Sequence, residues 1–286
     1  MMKRRAEGVG IGFRMRMAEE LLEALPSEVR WLEIHPENYI RRGGRYRTML
    51  ARAREHWPIV THGLTTGFGS ASPHDPAYLE ELGAFLSEVE APWHSDHACF
   101  AGAHGAFVHD LLPVPFTDEA ASTMVARVQE LRDATQVPIA IENVSYYAPQ
   151  GENPLEEIAF LREVLERADA KLMLDVNNVY VNSQNFGFDP KAWIDQVPPG
   201  RVIQMHVAGH WLREDGLRID THGAPICEEV YALLEHTLAH VGPVPVLLER
   251  DNEIPPLSEL LGEVRRLQEI YDRAIRVAAP SPEAGA

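Results

Sequence analysis

Five short apolar runs in this chain stop at residues that can bind a metal ion or transfer a proton. Each run has three to five mostly apolar residues, and the runs end at His62, Glu142, Asp175, His206 and Glu249. A buried strand should carry apolar residues, so a polar residue at its end must be exposed, paired or bound to a cation. The repetition predicts a scaffold that holds these side chains in a ring.

The apolar runs alternate with helical patterns. Eight strands are predicted at 8–13, 31–35, 59–61, 93–97, 139–142, 172–175, 202–206 and 246–249. Two of the predicted helices begin where Asp75 and Asp189 each precede a proline, a typical helix start. The segments 101–116 and 207–225 are predicted to be loops. Regular βα alternation over about 250 residues is typical of a (β/α)8 TIM barrel.

A doubly wound open sheet is the alternative fold. No GxGxxG or GxxxxGK[ST] motif follows an early strand, which weakens the nucleotide-binding form of that alternative. The chain contains no evident linker. Residues 1–277 are therefore predicted to form a single (β/α)8 barrel domain, and the Pro/Ala/Gly-rich residues 278–286 a disordered C-terminal tail.

Composition excludes several classes of function. A formal charge of −17 argues against nucleic acid as a partner. No apolar run approaches the roughly 20 residues needed to span a bilayer, and the first residues lack the apolar core of a signal peptide. We therefore expect a cytoplasmic protein without membrane contact. Cys99 and Cys227 form no CxxC pair, so neither a disulfide framework nor a thiolate zinc site is predicted.

A barrel would gather the strand-end residues, because TIM-barrel active sites form at the carboxyl ends of the strands. The third to eighth strands end at His62, His97, Glu142, Asp175, His206 and Glu249, and the loop after the seventh adds Asp220 and His222. Repulsion and desolvation oppose such crowding unless cations bind. Imidazole and carboxylate ligands suit iron, manganese or zinc. Eight candidate ligands imply two or three metal ions with at least one bridging carboxylate.

Simpler explanations exist for each residue alone. A single His or Glu at a strand end is more often a cap, an ion-pair partner or a solvated loop residue. The joint pattern over six successive strands is what favours a metal site. His35 and His94 are ambiguous between core and site, and Glu33 is equally well explained as an ion-pair partner inside the barrel.

Eight short motifs together resemble one known family. They are HPENY (35–39), THG (61–63), SDH (95–97), IENVSYY (141–147), LDVNNVYVN (174–182), HVAGH (206–210), DTHG (220–223) and LLERD (247–251). In this order they resemble the multinuclear non-haem iron-dependent oxidative enzymes, relatives of the methanobactin-biosynthesis oxidase with a xylose-isomerase-like barrel.

The resemblance implies how the ligands divide. One iron would be held by His62, His97 and a bridging Glu142. A second would take Glu142, Asp175, His206 and Glu249, and a third would involve Asp220, His222 and Asn178. The resemblance also places Glu142, Asp175, Asn178 and His210 among the residues expected to serve catalysis.

The implied reaction is an O2-dependent oxidation of a residue, often cysteine, in a ribosomally synthesised precursor peptide. Two or three irons in mixed Fe(II)/Fe(III) states would be the cofactor, and a small separate protein would recognise the leader peptide. The alternative is a divalent-metal sugar isomerase or epimerase, or a metallohydrolase, on the same barrel. A third interpretation is a non-catalytic protein that stores metal or binds a partner.

Overall fold

A computed structural model describes residues 5–103, 106–148 and 153–278. Within these ranges eight parallel strands pair in sequence, and the last pairs with the first, so the sheet closes into a barrel. The strands are β1 (Val9–Gly12), β2 (Leu32–Ile34), β3 (Ile59–His62), β4 (His94–His97), β5 (Ile139–Glu142), β6 (Lys171–Asp175), β7 (Val202–Val207) and β8 (Val246–Leu248). The predicted (β/α)8 barrel is confirmed.

Helices follow the strands and surround the barrel. The described residues form α1 (Ala18–Ala24), α2 (Arg45–His56), α3 (Pro76–Glu88), α4 (Asp118–Thr135), α5 (Glu157–Arg167), α6 (Val176–Phe186), α7 (Pro190–Ile194), α8 (Glu228–Val241) and α9 (Leu257–Ala278). Asp75 and Asp189 cap α3 and α7 through their side chains, as their position before proline predicted.

Period-two alternation separates the two faces of the barrel strands. The outward positions carry Ile, Leu, Val and Met side chains that join the apolar layer beneath the helices. At the amino-terminal end, Trp31, Val60, Trp93 and Leu247 form a separate buried cluster, contributed by β3, β8 and the residues just before β2 and β4. Trp31 lies so close to Gly10 that a Cβ there would be 2.4 Å from the indole. The barrel is therefore a packed core and not a pore.

The segment after β6 folds differently from the sequence prediction. A helix was expected only from Asp189–Pro190, yet α6 begins directly after Asp175, whose carboxylate accepts a hydrogen bond from the Asn178 amide at 2.7 Å. Asparagine is a weak helix former because its side chain competes for backbone groups. Here Asn178 and Asn182 donate to loop carbonyls after β5 instead, which leaves the helix intact.

Both predicted loops contain short antiparallel hairpins. Cys99–Ala103 pairs with Ala106–Pro113, and Trp211–Leu212 pairs with Arg218–Ile219. At the carboxyl terminus Ala278 is the last residue of α9, and residues 279–286 of the predicted tail lie outside the described residues. In the part of the chain that the structure describes, every helix is too short or too polar to cross a bilayer.

Candidate metal centre

The strand-end residues share the inward face of the barrel. His62 lies two residues after Val60, and Glu249 two after Leu247, and both of these apolar residues belong to the interior cluster. Positions two apart on a strand face the same side. Neighbouring strands also align the site laterally: His97 is the register partner of Glu142 in β4 and β5, and Asp175 that of His206 in β6 and β7.

Among the described residues, three groups of side chains place ligand atoms within 4.8 Å of one another. The groups are His62, His97 and Glu142; Glu142, Asp175 and His206; and Asp175, His222 and Glu249. Glu142 joins the first group to the second, and Asp175 joins the second to the third. The structure thus brings together seven of the eight predicted ligands at one end of the barrel.

In the first group two imidazoles face one carboxylate. Oε2 of Glu142 lies 3.2 Å from Nε2 of His62 and 3.1 Å from Nε2 of His97. The other nitrogen of each ring is within hydrogen-bond distance of a polar side chain. Nδ1 of His62 lies 2.9 Å from the Ser95 hydroxyl, and Nδ1 of His97 lies 2.9 Å from the Asp96 carboxylate. Such contacts orient metal-binding histidines and set which nitrogen carries the proton.

In the second group the imidazole is turned the other way. Nδ1 of His206 lies 3.1 Å from Glu249 and 3.7 Å from Glu142. Its Nε2 points into the barrel interior, 3.0 Å from the Glu33 carboxylate. His206 and Glu33 are completely buried. A metal ion in this group would therefore meet His206 through Nδ1.

The third group depends on a loop. His222 has a backbone φ of 51°, a left-handed conformation that a non-glycine residue adopts only when its surroundings enforce it. The amides of Asp251 and Asn252 donate to the His222 carbonyl at 3.1 and 3.4 Å. Asp251 also lies 3.3 Å from Nδ1 of His222 and accepts a hydrogen bond from Arg14 at 2.5 Å. The loop after β8 and an arginine after β1 thus support this histidine.

The remaining predicted site residues lie at the margin of these groups. Asp220 belongs to none of the three, but its Oδ2 lies 2.9 Å from Nε2 of His222. His210 is half-buried, and its Nδ1 lies 2.9 Å from Oδ1 of Asn177, whose amide donates to Asp220 at 2.8 Å. Asn178 is buried within hydrogen-bond distance of Asp175. His210 therefore reaches the cluster through Asn177 and Asp220.

The electrostatics of the cluster call for positive charge. Burial raises the pKa of Asp175 well above its ordinary value, and the carboxylates of Asp220 and Glu142 raise it further. Burial alone would lower the pKa of His97, but Glu142 and Asp96 raise it to about 9. Protons supply the compensating charge in these cases. Bound cations would supply it instead and would release the protons on binding.

Two oxygen atoms test whether the residues fit a metal cluster. Among the described residues, Oδ2 of Asp175 and Oδ1 of Asn178 are buried without a hydrogen-bond partner. A buried acceptor without a donor costs about 1–3 kcal/mol, and a charged one costs more. Cys99 and Cys227 belong to none of the three groups, so the donors are imidazole nitrogen and carboxylate oxygen. This donor set fits iron, manganese or zinc.

Several supporting residues were missed from the sequence. Asp96 stands beside His97 in the SDH motif, so its hydrogen bond to His97 could have been anticipated from adjacency. Glu33 was recognised only as an ion-pair partner. Arg14 and Asp251 carried no pattern that pointed to His222, because their contact joins β1 to β8 across the closure of the barrel.

A comparison with known protein families identifies one family that matches nearly the whole chain. Residues 8–272 match the model of a family described as RiPP precursor modification enzyme MbnB/TglH/ChrH, in which RiPP denotes a ribosomally synthesised, post-translationally modified peptide. The chain belongs to this family. The family resemblance inferred from the eight motifs is thereby confirmed.

Several curated relatives resemble nearly the whole chain, and each is named a UPF0276 protein. A UPF0276 protein of Pseudomonas aeruginosa is 41% identical over 275 residues, which is 96% of both chains. A UPF0276 protein of Nitrosospira multiformis is 40% identical over 90% of both chains. One from Shewanella amazonensis is 38% identical over 94% of this chain and 96% of its own. The aligned region covers at least 90% of this chain and at least 90% of each relative.

Similar solved structures agree on the barrel. A xylose isomerase domain protein from Planctomyces limnophilus superposes with a TM-score of 0.63 at 15% identity, covering 96% of this chain and all of that one. An L-ribulose 3-epimerase gives a TM-score of 0.60 at 12% identity over 98% of this chain and all of its own. At such identities these matches show the fold alone, a xylose-isomerase-like TIM barrel.

Proposed function

We propose that this family member is an iron-dependent, O2-using oxidase that modifies a residue, most often cysteine, of a ribosomally synthesised precursor peptide. The observation that carries the proposal is the row of three adjoining ligand groups that share Glu142 and Asp175. Glu142 and Asp175 would each hold two neighbouring metal ions close to one another. Bound iron would supply Lewis acidity toward a substrate thiol and one-electron chemistry with O2.

The ligand groups differ in charge, which supports ions in two oxidation states. His62 and His97 offer two neutral donors beside the single carboxylate of Glu142. The second group has one histidine between Glu142 and Asp175, and Glu249 lies 3.1 Å from that histidine. Several carboxylates stabilise a trivalent ion more than a divalent ion, because the attraction scales with the product of the charges. We therefore assign Fe(III) to the group around Asp175 and Fe(II) to the group around His62.

We assign the proton transfers of the reaction to groups at the edge of the cluster. Burial and Arg218 both lower the pKa of His210, so its imidazole is neutral near pH 7 and can accept a proton from a substrate. Asn177 fixes the other side of the ring by holding Nδ1 at 2.9 Å. Asn178 keeps an unpartnered buried oxygen beside Asp175, where it would serve the third ion or the substrate.

A precursor peptide is the substrate class that family membership supports. We also propose a small separate partner protein that recognises the leader peptide. Within residues 5–103, 106–148 and 153–278, each element belongs to the barrel, its helices or a two-stranded hairpin, so these residues contain no separate peptide-recognition module. A separate protein would therefore have to recognise the leader peptide. The partner is tested by measuring turnover with and without candidate proteins encoded beside this chain's gene.

Anaerobic loading with Fe(II), followed by limited exposure to O2, tests the proposed function. We expect two or three irons per chain, a mixed-valent paramagnetic signal, and O2 consumption coupled to a mass change in a cysteine-bearing precursor peptide. A peptide with serine in place of cysteine is the control. Iron-loaded protein that consumes no O2 with any such peptide contradicts the proposal. Zinc or manganese as the only bound metal favours the isomerase or hydrolase alternative.

A further inference from the structure

A carboxylate inside the barrel faces the back of one ligand. Glu33 lies on β2, two residues after the interior Trp31, and is completely buried. Its Oε2 lies 3.0 Å from Nε2 of His206 and accepts a hydrogen bond from the amide nitrogen of Gln204 at 2.6 Å. A buried charge is tolerated only where its partners are well placed, so this position is a costly one for a glutamate.

The orientation of Gln204 follows from its other neighbour. The Trp93 indole can only donate, and its Nε1 donates to Oε1 of Gln204 at 2.8 Å. The amide nitrogen of Gln204 therefore faces inward, 2.6 Å from Glu33 and 2.9 Å from Nε2 of His206. His206 thus has a hydrogen-bond donor and a hydrogen-bond acceptor competing for the same ring nitrogen.

The competition admits two tautomers of the His206 ring. In one, Nε2–H donates to Glu33, and the Nδ1 lone pair faces Glu142 and Glu249. In the other, Nε2 accepts from Gln204, and Nδ1–H donates to Glu249, 3.1 Å away. Only the first tautomer leaves Nδ1 free to bind a metal ion.

We propose that Glu33 is a positioning residue that holds His206 in the tautomer able to bind a metal ion through Nδ1. The inference rests on the metal cluster of the proposed function and adds the group that controls its second position. Glu33 is the acceptor at Nε2, whereas Gln204 presents a donor there. Because His206 and Glu33 are both inaccessible to solvent, bulk water does not compete with the carboxylate for Nε2.

His206 differs from His62 and His97 in which ring nitrogen faces the cluster. His62 and His97 present Nε2 to Glu142 and are held at Nδ1 by Ser95 and Asp96. His206 is reversed, since the shared cluster lies on its Nδ1 side. Glu33 also places a negative charge directly behind the imidazole, which raises the basicity of the ligand nitrogen.

Nitrogen NMR reads the tautomer directly. Zn(II), a diamagnetic probe, would be bound to protein labelled with 15N-histidine. We expect His206 to carry its proton on Nε2 and to bind zinc through Nδ1, whereas His62 and His97 carry protons on Nδ1. A zinc-bound Nε2 in His206 overturns the proposal.

Metal affinity tests the role of Glu33 quantitatively. Anaerobic Fe(II) titration against a chelator should show one ion bound about 10- to 100-fold more weakly in Glu33→Ala. Glu33→Gln keeps the shape and a carbonyl acceptor but loses the charge, so we expect a smaller loss. Glu157→Gln changes a carboxyl on α5 that touches no ligand and should leave Fe(II) affinity unchanged.

A double-mutant cycle separates positioning from general destabilisation. If Glu33 acts through His206, then Glu33→Gln should cost no further Fe(II) affinity in a His206→Ala background. An equal loss in both backgrounds, or unchanged affinity in both Glu33 variants, overturns the proposal while leaving the metal cluster intact. Wild-type protein that binds no metal overturns this inference together with the proposed function. Because Glu33→Gln preserves volume, it supplies the comparison even if Glu33→Ala fails to fold.

Discussion

Glu142 lies between His62 and His97, with one carboxylate oxygen 3.2 Å from the first imidazole and 3.1 Å from the second. Its other oxygen lies 3.7 Å from Nδ1 of His206. One side chain therefore faces two of the three ligand groups, as a bridging carboxylate must. Loss of its charge should disturb both positions, whereas loss of a terminal ligand should disturb one.

Glu142→Gln should lower the metal content by at least one ion per chain while the barrel stays folded. The substitution removes a ligand charge and almost no volume, so the packing around β5 is retained. Elemental analysis of protein loaded anaerobically with Fe(II) gives the stoichiometry, and circular dichroism gives the fold. Glu235→Gln, in an exposed ion pair with Arg273, is the charge-matched control. Full metal retention in Glu142→Gln would reject the bridging role.

Asp175 has two roles that substitution can separate. Its carboxylate caps α6, and it belongs to two ligand groups. Asparagine caps helices about as well as aspartate, so metal-free Asp175→Asn should unfold within about 0.5 kcal/mol of wild type, whereas Asp175→Ala should lose about 1 kcal/mol. Both variants should lose metal. Urea unfolding in the presence of EDTA measures the first effect, and Fe(II) titration measures the second. Equal unfolding free energies in the two variants would contradict the capping role.

The sequence predicted the barrel and the positions of most candidate site residues, because both follow from strand periodicity. Apolar runs of strand length predict the β-strands, and the side chain at the end of each run points into the barrel. His62, Glu142, Asp175 and His206 are all the last or penultimate residues of their strands. That relation survives errors of one or two residues in the strand boundaries, since the closed sheet gathers all carboxyl ends at one rim.

Long-range contacts set the limit of the prediction. Arg14 meets Asp251 across the closure between β1 and β8, 237 positions apart in sequence, and a local pattern cannot encode that pairing. The start of α6 was missed for a related reason. The side-chain amide of Asn178 donates to the carbonyl of Asn143 on the loop after β5, and a local pattern does not show that this contact keeps the side chain from competing with the helix.

The pH dependence of stability should reveal the carboxyl of Glu157. Burial raises the pKa of Glu157 to about 8, although the Tyr146 hydroxyl bonds the carboxyl and lowers it in part. At low pH the carboxyl is protonated in both the folded and the unfolded state, so it does not affect the free energy of unfolding. As pH rises, it ionises first in the unfolded state, which favours unfolding. Folding stability is then lost as pH rises from about 4.5, the ordinary value, through about 8. Glutamine does not ionise, so Glu157→Gln should gain unfolding free energy relative to wild type across this window.

Urea unfolding at several pH values, in EDTA to remove metal, measures that difference. Glu163→Gln on the same helix is the control, because Glu163 forms an exposed (i, i+4) pair with Arg167. A difference between Glu157→Gln and wild type that does not change with pH would contradict the prediction.

Gly63 leaves space for the carboxylate that supports His97. A Cβ at this position would lie 2.5 Å from Oδ2 of Asp96 and 3.0 Å from Nε2 of His94. Gly63→Ala should therefore push Asp96 away from His97, whose amide and Nδ1 it holds at 2.7 and 2.9 Å. Overpacking of this kind costs about 1–3 kcal/mol. Weaker Fe(II) binding should accompany the loss of stability, since His97 would lose the orientation of its Nε2.

Gly43→Ala distinguishes this effect from a general sensitivity to alanine. A Cβ at Gly43 would meet no heavy atom within 4 Å. Thermal unfolding of the metal-free proteins should show a lowered midpoint in Gly63→Ala and no loss in Gly43→Ala. Fe(II) titration should show the same contrast at one position of the cluster. If Gly63→Ala lowers the midpoint and leaves every Fe(II) affinity unchanged, Asp96 contributes to folding and not to the orientation of His97.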